Sequence, residues 1–348
     1  MPKPRVFIAY TGGTIGMKKS PDGFIPVPGY LAQRMEAMPE FQREEMPEYT
    51  IHEYEPLLDS SNMSPVEWGK IAADVVAHYD DYDGFIIIHG TDTMAYTASA
   101  LSFMLESLGK PVILTGSQIP LVEVRSDARE NLITAMMLAA QFRVPEVCIY
   151  MNGRLLRGNR ARKVNAMGFD AFDSPNFPVL GQVGVQIEVN WSLVLPSSPF
   201  PCRLQDVRPQ ISLAYLRLFP GITATLARRL LETPLQGLVL ETYGAGNAPS
   251  SNGELLRVLA EANERGTIIV NCTQCLRGNV DMDDYATGHA LKQAGVISGY
   301  DMTPEATVAK LYYLLSQDWS VDRVKRLMAS DLRGELTRPR NTLVTSHQ

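Results

Sequence analysis

Threonine hydroxyls recur at two glycine-bearing turns, each straight after a strand-like apolar run. Thr11-Gly12-Gly13-Thr14-Ile15-Gly16 follows Arg5-Val6-Phe7-Ile8-Ala9-Tyr10, and His89-Gly90-Thr91-Asp92-Thr93-Met94 follows Gly84-Phe85-Ile86-Ile87-Ile88. Buried parallel strands read as continuous apolar runs, and ligands of open α/β sheets collect at their carboxyl ends. Two hydroxyl-bearing turns at two such ends suit a threonine nucleophile with a second threonine beside it. Gly12 and Gly13 let the chain reverse sharply and bring backbone N–H groups close to a ligand. A threonine hydroxyl is a weak nucleophile until a neighbouring group takes its proton. Lys163, in Arg157-Gly158-Asn159-Arg160-Ala161-Arg162-Lys163, is a candidate base, because desolvation or nearby cations favour a neutral amine. Each feature also has an ordinary reading: a plain strand-to-loop turn, a helix cap at Thr91 or Asp92, and a solvated charge at Lys163.

The elements that must position these groups alternate strand and helix. Strands are predicted at residues 84–88, 111–114 and 146–151. Helices are predicted at 64–78, with Pro65 at its start, at 94–108, amphipathic and ending near Gly109, and at 131–140. Residues 17–29, rich in Gly and Pro, read as a mobile loop beside the first turn. The pattern weakens where Pro196, Pro199, Pro201 and Pro209 cluster, and a second α/β series follows, with strands at 212–218, 237–241 and 267–271 and helices at 223–231, 254–263, 306–315 and 321–328. The expected architecture is α/β in two domains, each with a mainly parallel sheet flanked by helices: a larger, flavodoxin- or Rossmann-like catalytic domain at 1–190, a linker at 191–210 and a smaller domain at 211–348.

Composition narrows the function. The chain has 348 residues, 45% hydrophobic and 20% charged, with a net charge of -6. That balance lacks the basic footprint of a nucleic-acid-binding domain. No apolar run approaches the ~20 residues of a membrane span, and the N-terminus reads as a strand rather than a signal peptide. Four cysteines are too few for a disulfide framework, so a soluble cytoplasmic protein is expected. Cys272 and Cys275 form a lone C-x-x-C without nearby histidines, read as two reduced structural thiols. The five histidines show no metal-ligand spacing, and no metal or cofactor is expected. His89 is read as packing or hydrogen bonding at its strand end.

Taken together, the motifs resemble the bacterial-type L-asparaginases, specifically the cytosolic type I branch. The segments that carry the resemblance are the two threonine turns, Leu58-Asp59-Ser60-Ser61-Asn62-Met63, Thr115-Gly116-Ser117-Gln118-Ile119-Pro120, Arg157-Gly158-Asn159-Arg160, Tyr243-Gly244-Ala245-Gly246-Asn247-Ala248-Pro249 and Asn271-Cys272-Thr273-Gln274-Cys275. The resemblance implies hydrolysis of L-asparagine to L-aspartate and ammonia. Thr14 would attack the amide carbon, Thr91 with Lys163 would handle water or the proton, and Asp92 would hold the α-ammonium. Asp59, Ser60 and Ser61 would bind the α-carboxylate, and Asn247 would reach the pocket of an adjacent subunit in a homodimer or homotetramer. Many relatives place a tyrosine in the loop beside the nucleophile, where this chain has Phe24. Tyr285, from a neighbouring subunit, is the candidate replacement.

In some relatives Thr273, Gln274 and Cys275 belong to a second, activating asparagine site. Here Glu241 stands where an arginine is expected and Arg162 where a small hydroxyl residue is expected, so that site is not expected intact. Rival readings are the amidase subunit of a tRNA-dependent amidotransferase, an asparaginase with substantial glutaminase activity, and a non-catalytic amino-acid sensor.

Overall fold

The structure, a computed structural model, describes residues 2–21, 23–251, 253–283 and 286–337. The chain folds as two compact units, Met1–Gln210 and Ile211–Gln348.

In the first unit eight strands form one sheet: β1 (Arg5–Gly12), β2 (Glu48–Leu58), β3 (Gly84–Ile88), β4 (Val112–Thr115), β5 (Val147–Met151), β6 (Arg154–Arg157), β7 (Gly181–Val183) and β8 (Ile187–Val189). Their spatial order is β8-β7-β6-β5-β4-β3-β1-β2. From β2 to β5 every neighbouring pair is parallel, while β6, β7 and β8 extend the sheet antiparallel. Strands β1, β3, β4 and β5 are buried almost throughout, as their apolar runs require. Alternate side chains load the two faces. Val6, Ile8, Tyr10, Ile86, Ile88 and Tyr150 join one core cluster with Leu132, Ala135 and Met136. Those three come from helix α3 (Ala128–Gln141), which follows α1 (Pro65–Ala77) and α2 (Met94–Met104).

Helix α1 begins where its sequence directs. Ser64 and Glu67 form a capping box, with Pro65 in the first turn. Helix α2 departs from expectation twice. It is buried nearly all round, Thr97, Ser99 and Ser102 included, rather than amphipathic. It also stops at Met104, because Leu105–Glu106 leaves the helix to pair antiparallel with Arg203–Leu204. Residues 17–29, read as a loop, contain an antiparallel hairpin of Met17–Ser20 with Gly23–Pro26.

The second unit carries a four-stranded parallel sheet in chain order: β9 (Leu213–Arg217), β10 (Gly237–Thr242), β11 (Ile268–Thr273) and β12 (Ile297–Ser298). Its helices are α4 (Ala224–Glu232), α5 (Glu254–Glu264), α6 (Ala286–Gln293), α7 (Pro304–Leu315) and α8 (Val321–Met328). Thr223, Thr303 and Ser320 cap α4, α7 and α8 through their hydroxyls. Leu238, Leu240 and Ile269 pack with Leu231, Val258 and Leu259 in one cluster.

Candidate functional site

The parallel order β2-β1-β3-β4-β5 reverses direction between β1 and β3, which makes the carboxyl ends of those two strands the topological switch point. Both threonine turns leave from there. Tyr10 pairs with Ile88 at the last rungs, and the Thr11 hydroxyl donates to the Ile88 carbonyl at 3.0 Å. Beyond it the chain turns through Gly13 (φ 94°) into the 3-10 turn Thr14–Gly16, leaving Thr14 half-buried. A Cβ on Gly13 would lie 2.6 Å from the Gly90 nitrogen, and one on Gly90 would lie 2.5 Å from the Ser60 hydroxyl. Glycine lets the turns after β1 and β3 touch backbone to backbone and lets the Ser60 side chain seat against Gly90, which brings the Thr14, Ser60 and Thr91 segments into one site.

Three of the candidate side chains meet directly. Lys163 Nζ donates to Thr91 Oγ1 at 2.7 Å and to Asp92 Oδ1 at 2.7 Å. Thr91 in turn donates to Gln118 Oε1 at 3.2 Å. Lys163 is held there because Arg162–Lys163 pairs antiparallel with Phe172–Asp173. Thr91 is 8% exposed, the Lys163 side chain 19% and the Asp92 side chain 66%. The amine is thus partly desolvated against a hydroxyl, while one carboxylate at the rim stays open to solvent and to a cationic ligand. Such an amine–hydroxyl pair can pass a proton to or from a reacting group.

The capping reading of Thr91 and Asp92 does not hold. Thr93 occupies the N-cap of α2 and makes no side-chain cap, its hydroxyl donating instead to the Ser60 carbonyl at 2.7 Å. The solvated reading of Lys163 fails as well, given its two short hydrogen bonds.

Gln118 received no role from the sequence although its segment stood out. Its backbone N–H donates to Asp127, and its Nε2 donates to the carbonyls of Ala166 at 3.2 Å and Gly168 at 3.0 Å. One amide therefore ties the Thr91 hydroxyl to the loop that follows Lys163. The available signal was a side-chain amide just past the end of β4, the strand next to β3.

His89 is buried and hydrogen bonded at its strand end. Trp68 Nε1 donates to Thr97 Oγ1 at 3.2 Å, and Thr97 Oγ1 lies 2.9 Å from His89 Nε2. His89 Nδ1 lies 2.7 Å from the Gly90 carbonyl. Because the carbonyl only accepts, Nδ1–H donates to Gly90, and the neutral imidazole then presents Nε2 as the acceptor for the Thr97 hydroxyl. Complete burial pushes the imidazole pKa down to about 4, against a partial opposing effect of the Gly90 carbonyl. The folded protein therefore keeps His89 neutral, while the unfolded chain takes up a proton near pH 6.5. The stability tied to neutral His89 is present above pH 6.5 and lost as pH falls toward 4. At full protonation the loss is about 3 kcal/mol. Denaturant titrations should show a His89→Gln variant losing correspondingly less stability than wild type across that interval.

The remaining candidates fall in three groups. In the first unit, Asp59 Oδ1 accepts from the Ser61 N–H at 2.8 Å, holding the turn that carries buried Ser60. Phe24 lies exposed on the hairpin. In the second unit, Asn247 closes a tight turn through reciprocal backbone bonds with Tyr243. Thr273 donates to the Gly244 carbonyl, Gln274 to the Leu218 and Glu241 carbonyls, and the Cys275 N–H to the Thr273 hydroxyl. The Thr273 and Gln274 side chains thus bind backbone of their own unit. Glu241 is buried and pairs with Arg217 at 3.0 Å. Tyr285 lies outside the described residues. Among the described residues no three His, Cys, Asp or Glu side chains are grouped to hold a metal.

A hydroxyl, an amine and a carboxylate thus gather at the switch point of the first unit's mainly parallel sheet, and a second α/β unit follows. Residues 5–195 match the family model for the asparaginase N-terminal domain, and residues 213–328 match the glutaminase/asparaginase C-terminal domain. The chain belongs to the asparaginase family. It is 53% identical over 337 residues to L-asparaginase 1 of Escherichia coli K12, an alignment covering 97% of this chain and 99% of that protein. The crystal structure of L-asparaginase I from Vibrio cholerae superposes with a TM-score of 0.90 at 52% identity, covering 97% of this chain and all of that one. The thermostable L-asparaginase of Thermococcus kodakarensis gives a TM-score of 0.87 at 33% identity, over 96% of this chain and 100% of that one.

Proposed function

We propose that this protein hydrolyses the side-chain amide of L-asparagine to L-aspartate and ammonia through an ester on Thr14. The observation that carries the reading is Lys163 Nζ within 2.7 Å of both Thr91 Oγ1 and Asp92 Oδ1, at the strand end beside the Thr14 turn. In the first half-reaction Thr14 Oγ attacks the amide carbon, the C–N bond breaks, and the nitrogen leaves as ammonia after taking up a proton. In the second, water attacks the aspartyl ester, aspartate leaves and the Thr14 hydroxyl is restored. Thr91 and Lys163 move the protons in both steps. Asp92, open to solvent at the rim, takes the substrate α-ammonium, and the Asp59-Ser60-Ser61 turn takes the α-carboxylate through N–H and hydroxyl donors. Splitting the reaction through a covalent ester replaces one difficult attack on a stable amide by two easier ones.

Following the resemblance to the cytosolic branch, the reading places the enzyme in the cytoplasm as a homo-oligomer, with Asn247 and Tyr285 supplied to the pocket of a neighbouring copy. Within the described residues no helix is long and apolar enough to cross a membrane. The test is ammonia release from L-asparagine and, separately, from L-glutamine. We expect asparagine to be preferred by roughly 10- to 200-fold, the range that one methylene allows. No release from either amide would overturn the reading.

A further inference from the structure

The turn that carries Asn247 is pinned far more thoroughly than a surface loop requires. Tyr243 and Asn247 exchange backbone hydrogen bonds at 2.9 and 2.8 Å. The Gly244 carbonyl accepts from the Thr273 hydroxyl at 2.6 Å, the Ala245 carbonyl from the Asp281 N–H at 2.9 Å, and the Gly246 carbonyl from the Asn271 amide at 3.2 Å. Gly246 has φ 113° and presses on Val280, where a Cβ would come within 2.8 Å of Val280 Cγ1. Every carbonyl from 243 to 247 is thus engaged, so the backbone beneath Asn247 is held on all sides. One further bond reaches the side chain itself: the Thr287 hydroxyl, in the first turn of α6, donates to Asn247 Oδ1. A side-chain amide has two distinguishable ends, and a donor on the oxygen decides which end faces outward. With Oδ1 turned to Thr287, the Nδ2 group is the end left to donate, and among the described residues none accepts from it.

We propose that Thr287 is a positioning residue that fixes the Asn247 amide with Nδ2 outward, aimed at an oxygen acceptor of an α-amino-acid substrate bound by a second copy of the chain. The inference rests on the reading above that Asn247 belongs to a neighbour's pocket, and it adds the group that sets the polarity of that contact. Without the Thr287 hydroxyl the amide turns freely, and the oxygen end meets the substrate carboxylate for part of the time. A fixed donor contributes mainly to substrate binding, so the signature is in KM rather than kcat.

The experiment is a double-mutant cycle on the intact oligomer, its assembly checked by size-exclusion chromatography, with asparagine turnover measured for Thr287→Val, Thr287→Ser, Asn247→Ala and the double variant Thr287→Val/Asn247→Ala. Loss of one hydrogen bond corresponds to a KM increase of roughly three- to tenfold for Thr287→Val, with kcat within about twofold of wild type. Thr287→Ser, which keeps the hydroxyl, should restore wild-type KM. In the double variant the valine should add nothing to the effect of Asn247→Ala, because Thr287 acts through the amide. A KM unchanged in Thr287→Val while Asn247→Ala raises it would overturn the inference and leave Asn247 in the pocket. Fully additive effects would overturn it too, assigning Thr287 a merely structural role. If Asn247→Ala left KM unchanged, the reading of Asn247 as a pocket residue would fall, and the inference with it.

Discussion

A Thr14→Ala variant is expected to fold as wild type and to lose asparagine turnover by about 10³-fold or more. The loss is large because the methyl group offers no oxygen to bond the amide carbon, so the covalent route is closed rather than slowed. The fold survives because Thr14 is half-buried on a short turn whose shape is set by Gly12, Gly13 and the Thr11–Ile88 bond, none of which the change touches. Binding should also survive, since the groups assigned to the α-ammonium and α-carboxylate are Asp92 and the Asp59-Ser60-Ser61 turn. The check is kcat against substrate affinity, the second measured by asparagine titration of the inactive variant. Turnover within tenfold of wild type would remove Thr14 from the chemistry.

The second large effect is expected at Lys163. Lys163→Met keeps the aliphatic stem against its neighbours but removes the amine that bonds Thr91 and Asp92. General acid–base groups contribute about 10²- to 10⁴-fold, and kcat should fall within that range. Lys163→Arg should fare little better. A guanidinium stays charged and can only donate, so it holds the Thr91 oxygen without ever accepting its proton. Stability should change little, because the Lys163–Asp92 pair has one partner two-thirds exposed and such pairs contribute little. A melting temperature close to wild type with a collapsed kcat is the expected combination. Near-normal turnover in Lys163→Arg would mean that the amine only stabilises charge.

The sequence made the parallel strands readable because burial on both faces leaves a continuous apolar run, as in Phe85-Ile86-Ile87-Ile88. The edge was harder to read. Strand β2 carries Glu48, His52, Glu53 and Glu55 along a half-exposed edge, so it offers no apolar run although it is the longest strand in the sheet. The antiparallel strands β7 and β8 are three residues each, too short to show a period. Helix α2 misled in a different way. Its apolar spacing was real, but Thr97, Ser99 and Ser102 are buried too, with Ser102 bonding back to the Ala98 carbonyl and Thr97 to His89.

In the site, the glycines and threonines were visible because strand-end turns have strict residue demands. The basic run offers Lys163 as a candidate base, and the family resemblance pairs it with Thr91, 72 positions away, but what holds it there was not visible. Its placement depends on a two-residue strand pairing and on the Gln118 amide, both of which are tertiary facts. The tie of Thr287 to Asn247, 40 positions apart, is of the same kind.

The central claim is that Thr14, rather than Thr91, carries the acyl group. The most direct measurement is to quench the enzyme in acid while it turns over excess L-asparagine, digest it, and map the aspartyl ester by mass spectrometry. The expected result is the added aspartyl mass on the peptide containing Thr14 and its absence in Thr14→Ala. An ester found on the Thr91 peptide, persisting in Thr14→Ala, would contradict it.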